Sequence, residues 1–418
     1  MKDPLEDASV DVDRRGATVI LIAFLVGLVA LAVFKPSSRD ALAIIAGIVA
    51  MVMLHEAGHY LTAKRAGMKV TEFFLGFGPK LWSVRRGETE YGIKAILAGG
   101  YVRIVGMTNL EHPDWDEKAG EWRHGYTPDD ERRTFRRGSF KDRLVVVLAG
   151  VTVNVLLAFV LFYAVIAGHG INDFSQTISK VEPKTAASAA GFKAGDRIVA
   201  VDGHRISGWD ALKHAIESRG GKASTFTVVR HGERIDLHAT PKTQSGQGFL
   251  GVAPGIETRH VGLLEAVPES FNSIGQITSG TAQGFAHLFS PSGLQAYSKN
   301  FTSHAPKAGT PAAEARPRSL IGIVDLGTSL VHGNLWALLW LLGAISLILA
   351  LFNTLPLLPF DGGHAAVVLY EWIASKVTHR AVRVDYRRLM PMTAVVLAIF
   401  LTLGLSAMFL DLRQAFGS

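Results

Sequence analysis

The chain has 418 residues with 43 lysines and arginines against 36 aspartates and glutamates, 48% hydrophobic residues, no cysteine and a mean hydropathy of +0.24. That length holds two or three ordinary domains, but the hydrophobicity is high for a soluble protein. The absence of cysteine excludes disulfides and thiol catalysis, and the net charge of +7 is explained below by membrane topology rather than by a nucleic-acid partner.

Five apolar runs organise the chain. Residues 17–34, 144–168, 335–360 and 389–410 carry no formal charge, and 41–63 carry only Glu56. About twenty such residues span a bilayer core, so the chain reads as a polytopic α-helical membrane protein with four to five transmembrane helices. Arg14 and Arg15 precede the first run and Ala30-Leu31-Ala32 resembles a cleavage site, yet the run is long for a signal peptide and reads as an uncleaved extra span in segment 1–40. The second span, 41–66, contains the sequence HEAGH at 55–59.

Segment 67–143 follows. Its "FFLGFGPKLWSVRRGETEYGIKAILAGGYVRI" alternates short β-rich runs with glycine turns, including a hairpin turn around Gly87-Glu88-Thr89, and predicts a small membrane-associated sheet before a charged cytoplasmic loop. The next span is 144–169. Residues 170–255 contain a compact α+β module, with strand, turn and helix signals in "GFKAGDRIVAVDGHRISGWDALKHAI" and a hairpin in "TFTVVRHGERIDLHAT". Residues 256–332 read as an extracytoplasmic connecting region. A span over 333–374, a loop over 375–388 and a last span over 389–411 complete the chain. Lys64, Arg65, Lys69, Arg85, Arg86, Arg132, Arg133, Arg136, Arg137 and Lys141 lie in one loop region, and Lys376, Arg380, Arg383, Arg387 and Arg388 in another. Both regions are cytoplasmic by the positive-inside rule, which leaves 170–330 outside a multi-pass protein of the cell membrane.

The chemistry begins in the second span. On a helix, positions i and i+4 lie one above the other, so His55 and His59 can offer two imidazole nitrogens to one Zn²⁺, with Glu56 beside them as general base. A catalytic zinc needs a third protein ligand. Ionisable groups at membrane depth are functional candidates, and "FNTLPLLPFDGGHAA" supplies Asp361, with His364 a competitor on spacing alone. Pro356 and Pro359 break the helix there, which is tolerated in lipid only where the backbone lines a cavity or is buried in protein.

HEAGH in one span, "NTLPLLPFDG" at 353–362 in a later one and the module between them together resemble the site-2 proteases, intramembrane zinc metalloproteases, and most closely the bacterial members with a single PDZ domain. The resemblance runs from about residue 41 onward and includes "LAGGYVRI" and "AGVTVN". It implies a PDZ-like extracytoplasmic domain and one zinc held by His55, His59 and Asp361, which places Asp361 ahead of His364. It also implies Glu56 as catalytic base and Asn353 as a substrate-backbone contact. The expected substrates are single-pass membrane proteins, already trimmed by another protease and cut within the bilayer. Where the family carries prolines, this chain has Val151 and Leu358, and the extra first span is not part of the family's minimal core. The strand-like "AGGYVRI" suggests a substrate-pairing edge, with Gly99 and Gly100 permitting close approach and Val102 and Ile104 supplying backbone donors. The alternatives are an inert membrane scaffold binding peptide ends through the PDZ-like module, and a zinc transporter. A transporter needs polar groups spread along a path, whereas here they converge on one site.

Overall fold

In the computed structural model the described residues are Lys35, 38–107, 115–116, 121–122, 128–244, 246–302 and 316–416, so the apolar run 17–34 lies outside the described residues. The chain divides into two compact units, Met1–Tyr163 with Pro268–Ser418, and Ala164–Val267.

Helix α1 (Arg39–Arg65) is built from Ala, Ile, Val and Met, with Asp40 in its first turn and Lys64 and Arg65 in its last, the charge order that complements the helix dipole. It stops where Gly67 takes φ +71° and the Met68 amide turns back to the Ala63 carbonyl at 2.9 Å. Strands β1 (Val70–Arg86) and β2 (Thr89–Ile104) follow around the expected turn. Both bend. The first half of β1 pairs with both halves of β2, Phe73 opposite Tyr91 and Val102, and Leu75 opposite Ile93 and Gly100. Trp82–Arg86 flank the first half of β2 on its other side, which leaves Gly100–Ile104 as an outer strand. A core of Ala63, Met68, Val70, Ile104, Phe135, Val146 and Val368 packs this sheet onto the end of α1 and onto helix α2 (Phe140–Gly168).

The second unit has the construction of a water-soluble α+β domain. Strands β3 (Ile171–Val181), β4 (Arg197–Val201), β5 (Ser224–Arg230), β6 (Glu233–Ala239) and β7 (Val252–Arg259) form an antiparallel sheet in the order β7-β3-β4-β5-β6. Two helices accompany it, α3 (Ala186–Ala190) and α4 (Trp209–Glu217). Leu212 and Ile216, one turn apart on α4, join Ile178, Ile198, Val201, Phe226, Val228 and Leu250 in its core. Because β7 continues to Arg259, the unit runs past the expected boundary at residue 255.

The expected connecting region is largely helical, with α5 (Leu263–Leu288), a short helix at Pro291–Lys299 and α6 (Leu320–Val331). The expected span over 333–374 is two helices, α7 (Leu335–Asn353) and α8 (Asp361–Thr378). Pro356 and Pro359 lack the amide that a continuous helix needs, and seven irregular residues separate the two. Helix α9 (Met390–Phe416) ends the described chain. Of all these, α1, α2, α7 and α9 are long and apolar enough to cross a membrane. Leu54, Leu61, Leu156, Val160 and Leu401 are exposed on them, a pattern that suits a lipid solvent and would be an aggregation hazard in water.

Candidate metal centre

His55 and His59 occupy one face of α1 and are each 6% exposed. Asp361 is the first residue of α8. Its position is fixed by the two residues after it. A Cβ on Gly362 would lie 2.2 Å from the Thr354 carbonyl oxygen, and one on Gly363 would lie 2.5 Å from the Leu357 carbonyl carbon, so the irregular segment folds directly onto the first turn of α8. That contact brings Asp361 to the histidines across 306 residues of chain.

The three side chains are the one His/Asp/Glu group of this kind among the described residues. Asp361 Oδ2 lies 3.2 Å from His55 Nε2 and 3.3 Å from His59 Nε2, and the two Nε2 atoms are 3.3 Å apart. A tetrahedral zinc with bonds of about 2.0–2.1 Å requires ligand atoms about 3.3–3.4 Å apart, so the triangle has the edge of a zinc site. The hydrogen bonding agrees. Asp361 Oδ2 is buried and takes no hydrogen bond, although two nitrogens stand beside it. His59 Nδ1 lies 2.7 Å from the Val146 carbonyl of α2, and since that oxygen can only accept, Nδ1 carries the proton and Nε2 keeps its lone pair for a metal. Two nitrogens and a carboxylate oxygen also suit zinc by chemistry.

Two glycines let α2 come this close. A Cβ on Gly150 would fall 2.4 Å from His59 Nε2 and 2.6 Å from His55 Nε2, in the space where those nitrogens point. A Cβ on Gly58 would meet the Ala149 carbonyl at 2.9 Å. Neither glycine, nor the Val146 carbonyl, is a site residue in the sequence reading. The available signal was a glycine in mid-span, where it costs about 1 kcal/mol of helix propensity relative to alanine and small residues favour close helix contacts.

Glu56 lies beside the pair and is half-buried, near the Val102 backbone. A Cβ on Gly100 would sit 3.3 Å from Glu56 Cγ, whereas Gly99 faces the Phe77 ring instead. Ile104 is buried in the core beneath the sheet. Asn353 closes α7, and its amide donates to the Leu349 carbonyl of the same helix at 3.1 Å. His364, the competitor ligand, stands outside the cluster, with Nδ1 3.2 Å from the Tyr386 hydroxyl.

The comparisons with known proteins agree with this geometry. The family model described as peptidase family M50 matches residues 43–401. Zinc metalloprotease Rip1 of Mycobacterium tuberculosis is 33% identical over 392 residues, covering 84% of this chain and 92% of that protein. The protein of the same name from Mycolicibacterium smegmatis is 30% identical with the same coverage. Metalloprotease MmpA of Caulobacter vibrioides is 28% identical over 78% of this chain and 85% of its own length.

Proposed function

The chain belongs to peptidase family M50, the site-2 protease family, and from that premise we propose that it cuts peptide bonds within the transmembrane segments of single-pass membrane proteins. It is a zinc metalloendopeptidase of the membrane. The observation that carries the finer reading is the position of the ligand triangle. His55 and His59 lie inside an apolar helix of 27 residues, and Asp361 begins a helix that seven residues separate from another apolar one, so the metal would stand where a lipid-embedded bond can reach it.

His55, His59 and Asp361 would hold Zn²⁺, which when bound polarises a carbonyl and makes water acidic enough to lose a proton near neutral pH. Glu56, beside the ligands, would serve as the base that takes a proton from water and returns it to the leaving amine. His59 is held in one tautomer by Val146 throughout.

A substrate helix hides its carbonyls in i to i−4 hydrogen bonds and must unwind before it is cut. In lipid each freed backbone group costs several kcal/mol, roughly, unless the enzyme supplies a partner. The outer strand Gly100–Ile104 is our choice for that partner, with Asn353 as a second. The α+β unit has the strand and helix content expected of a PDZ-like domain, and we assign it to the extracytoplasmic side as a gate for substrates whose outer domain has been removed.

The test uses detergent-purified protein. About one zinc per chain and faster cleavage of membrane segments containing Gly, Pro, Ser or Asn than of poly-Leu segments are expected. Zinc-free protein that nonetheless cuts, or equal rates on both segment types, would count against the site and against strand pairing respectively. Deleting the α+β unit with the spans left folded should admit untrimmed substrates, and unchanged selectivity would sink the gate.

A further inference from the structure

Outside the metal centre, Glu371 on α8 is a buried charge, 3% exposed, held by three partners. Its Oε2 accepts from Arg143 Nη1 at 2.7 Å and from Arg383 Nη1 at 3.1 Å, and its Oε1 accepts from the Val384 amide at 2.8 Å. Arg143, near the start of α2, is 4% exposed, its guanidinium lies 5.0 Å over the Phe135 ring, and its Nε has no partner. Arg383 also donates to the Arg136 carbonyl at 3.0 Å. A single carboxylate therefore joins α2, α8, the turn at Phe135–Arg137 and the segment that leads into α9.

Stability alone is a weak reason for such a network. A buried ion pair exchanged for apolar groups of the same volume is often neutral or more stable, because the charges must first be taken out of water. What the pair does supply is register. The two helices that it joins are those that bring their groups to the histidines of α1: α2 brings the Val146 carbonyl and the bare backbone of Gly150, and α8 brings Asp361. Arg143 is one turn before Val146, about 4.5 Å along the axis, and Glu371 lies about 15 Å along α8 from Asp361. Over such lengths a helix transmits a shift almost undiminished, and the ligand triangle has edges of only 3.2–3.3 Å.

We propose that Arg143 and Glu371 are positioning residues for the metal centre, setting α2 against α8 so that His59 and Asp361 meet at ligand distance. The segment Val382–Tyr386 is part of the same device. It is fastened to α8 at two levels, through Arg383 and Val384 on Glu371 and through the Tyr386 hydroxyl on His364. This inference rests on the zinc reading of the His55–His59–Asp361 cluster.

The experiment measures zinc affinity by chelator competition, beside thermal stability, in full-length protein. Glu371→Gln and Arg143→Met should each weaken zinc binding by about 10- to 100-fold, the range for groups that orient metal ligands. The apolar pair Arg143→Met/Glu371→Leu should regain thermal stability relative to either single variant and still bind zinc weakly, a separation that a merely structural role does not give. Asp411→Asn is the control, since Asp411 pairs with Arg316 at 2.7 Å, both side chains being nearly as buried, and touches no element carrying a ligand. It should lower stability with zinc affinity unchanged. Arg383→Ala, half-exposed and thus tolerant of substitution, should weaken zinc by a smaller factor. The proposal is overturned if the apolar pair binds zinc as tightly as the parent, or if Asp411→Asn weakens zinc as much as Glu371→Gln; an unchanged Arg383→Ala removes the segment from it. Failure of the underlying zinc reading looks different: the parent protein then binds no zinc, or His55→Ala keeps it.

Discussion

The α+β unit and the helical unit bury charge in opposite ways. In the former, the Asp196 carboxylate is fully enclosed and fully bonded, taking Arg230 through two nitrogens at 2.7 and 2.8 Å and the Lys193 amide at 2.8 Å. In the latter lie all five buried side-chain atoms that lack a hydrogen bond among the described residues: His55 Nδ1, Arg143 Nε, both amide atoms of Asn154, and Asp361 Oδ2. An unmet polar atom in a dry interior is expensive, about 1–3 kcal/mol each, and two of the five, His55 Nδ1 and Asp361 Oδ2, belong to side chains of the candidate metal centre. The complete network marks architecture. The incomplete one marks chemistry.

The sharpest way to probe this contrast is at the incomplete network. Glu56→Gln should reduce proteolysis by about 10²–10⁴-fold, the usual span for a lost general base, with zinc content unchanged, whereas His55→Ala, His59→Ala and Asp361→Ala should lose the metal. Metal analysis and a cleavage assay on the same preparations decide it, and full zinc in Asp361→Ala with loss in His364→Ala would break the ligand assignment. Gly150→Ala comes next. The change favours helix by up to about 1 kcal/mol, yet its methyl group would enter the space of the two Nε2 atoms and push the rings aside, so zinc affinity should fall by at least about tenfold, a larger effect than any change in thermal stability. Parallel zinc titration and melting curves measure both.

At the complete network the expectation is reversed. Asp196→Asn should lower the melting temperature of the α+β unit by several degrees and leave zinc binding where it was. A zinc shift on that variant would erase the contrast. Acid gives the smallest effect. The Arg133 guanidinium beside Glu88, aided by Lys64, holds that carboxyl down at about 2, tying the hairpin turn to the end of α1. Because the folded value lies below the ordinary glutamate value of about 4.3, the tie stabilises above that value and is lost as pH falls toward 2. Hydrogen exchange at the β1–β2 turn should therefore accelerate only below about pH 4, and acceleration between pH 5 and 7 would contradict it.

The sequence made some of this legible and not the rest, for physical reasons. HEAGH is readable because helix geometry converts a spacing of four into one face. The uncharged run that Asp361 ends makes it the third ligand, spacing alone leaves His364 a competitor, and the resemblance sets the aspartate ahead; in the structure Gly362 and Gly363 pack on the irregular segment, and His364 lies on Tyr386. The Val146 carbonyl carries no side-chain signal at all. Arg143 and Glu371 are 228 residues apart, and each alone looks like an ordinary charge near a span end. The hairpin turn is local and was readable, but the double pairing of β1 depends on irregular register along both strands. Ser, Thr, Gln, Gly and Pro268 interrupt the apolar pattern of α5, so the sequence reads there as connection.

The ligands do not sit at the middle of α1. His55 and His59 lie roughly 15 and 9 Å from its basic end at Arg65, on a helix roughly 40 Å long, about a third of the way along it. Under the proposed function, a transmembrane segment of about twenty residues severed at that level would leave stubs of about seven and thirteen, both shorter than the seventeen or so needed to span, so a single cut would leave two products that no longer cross the membrane.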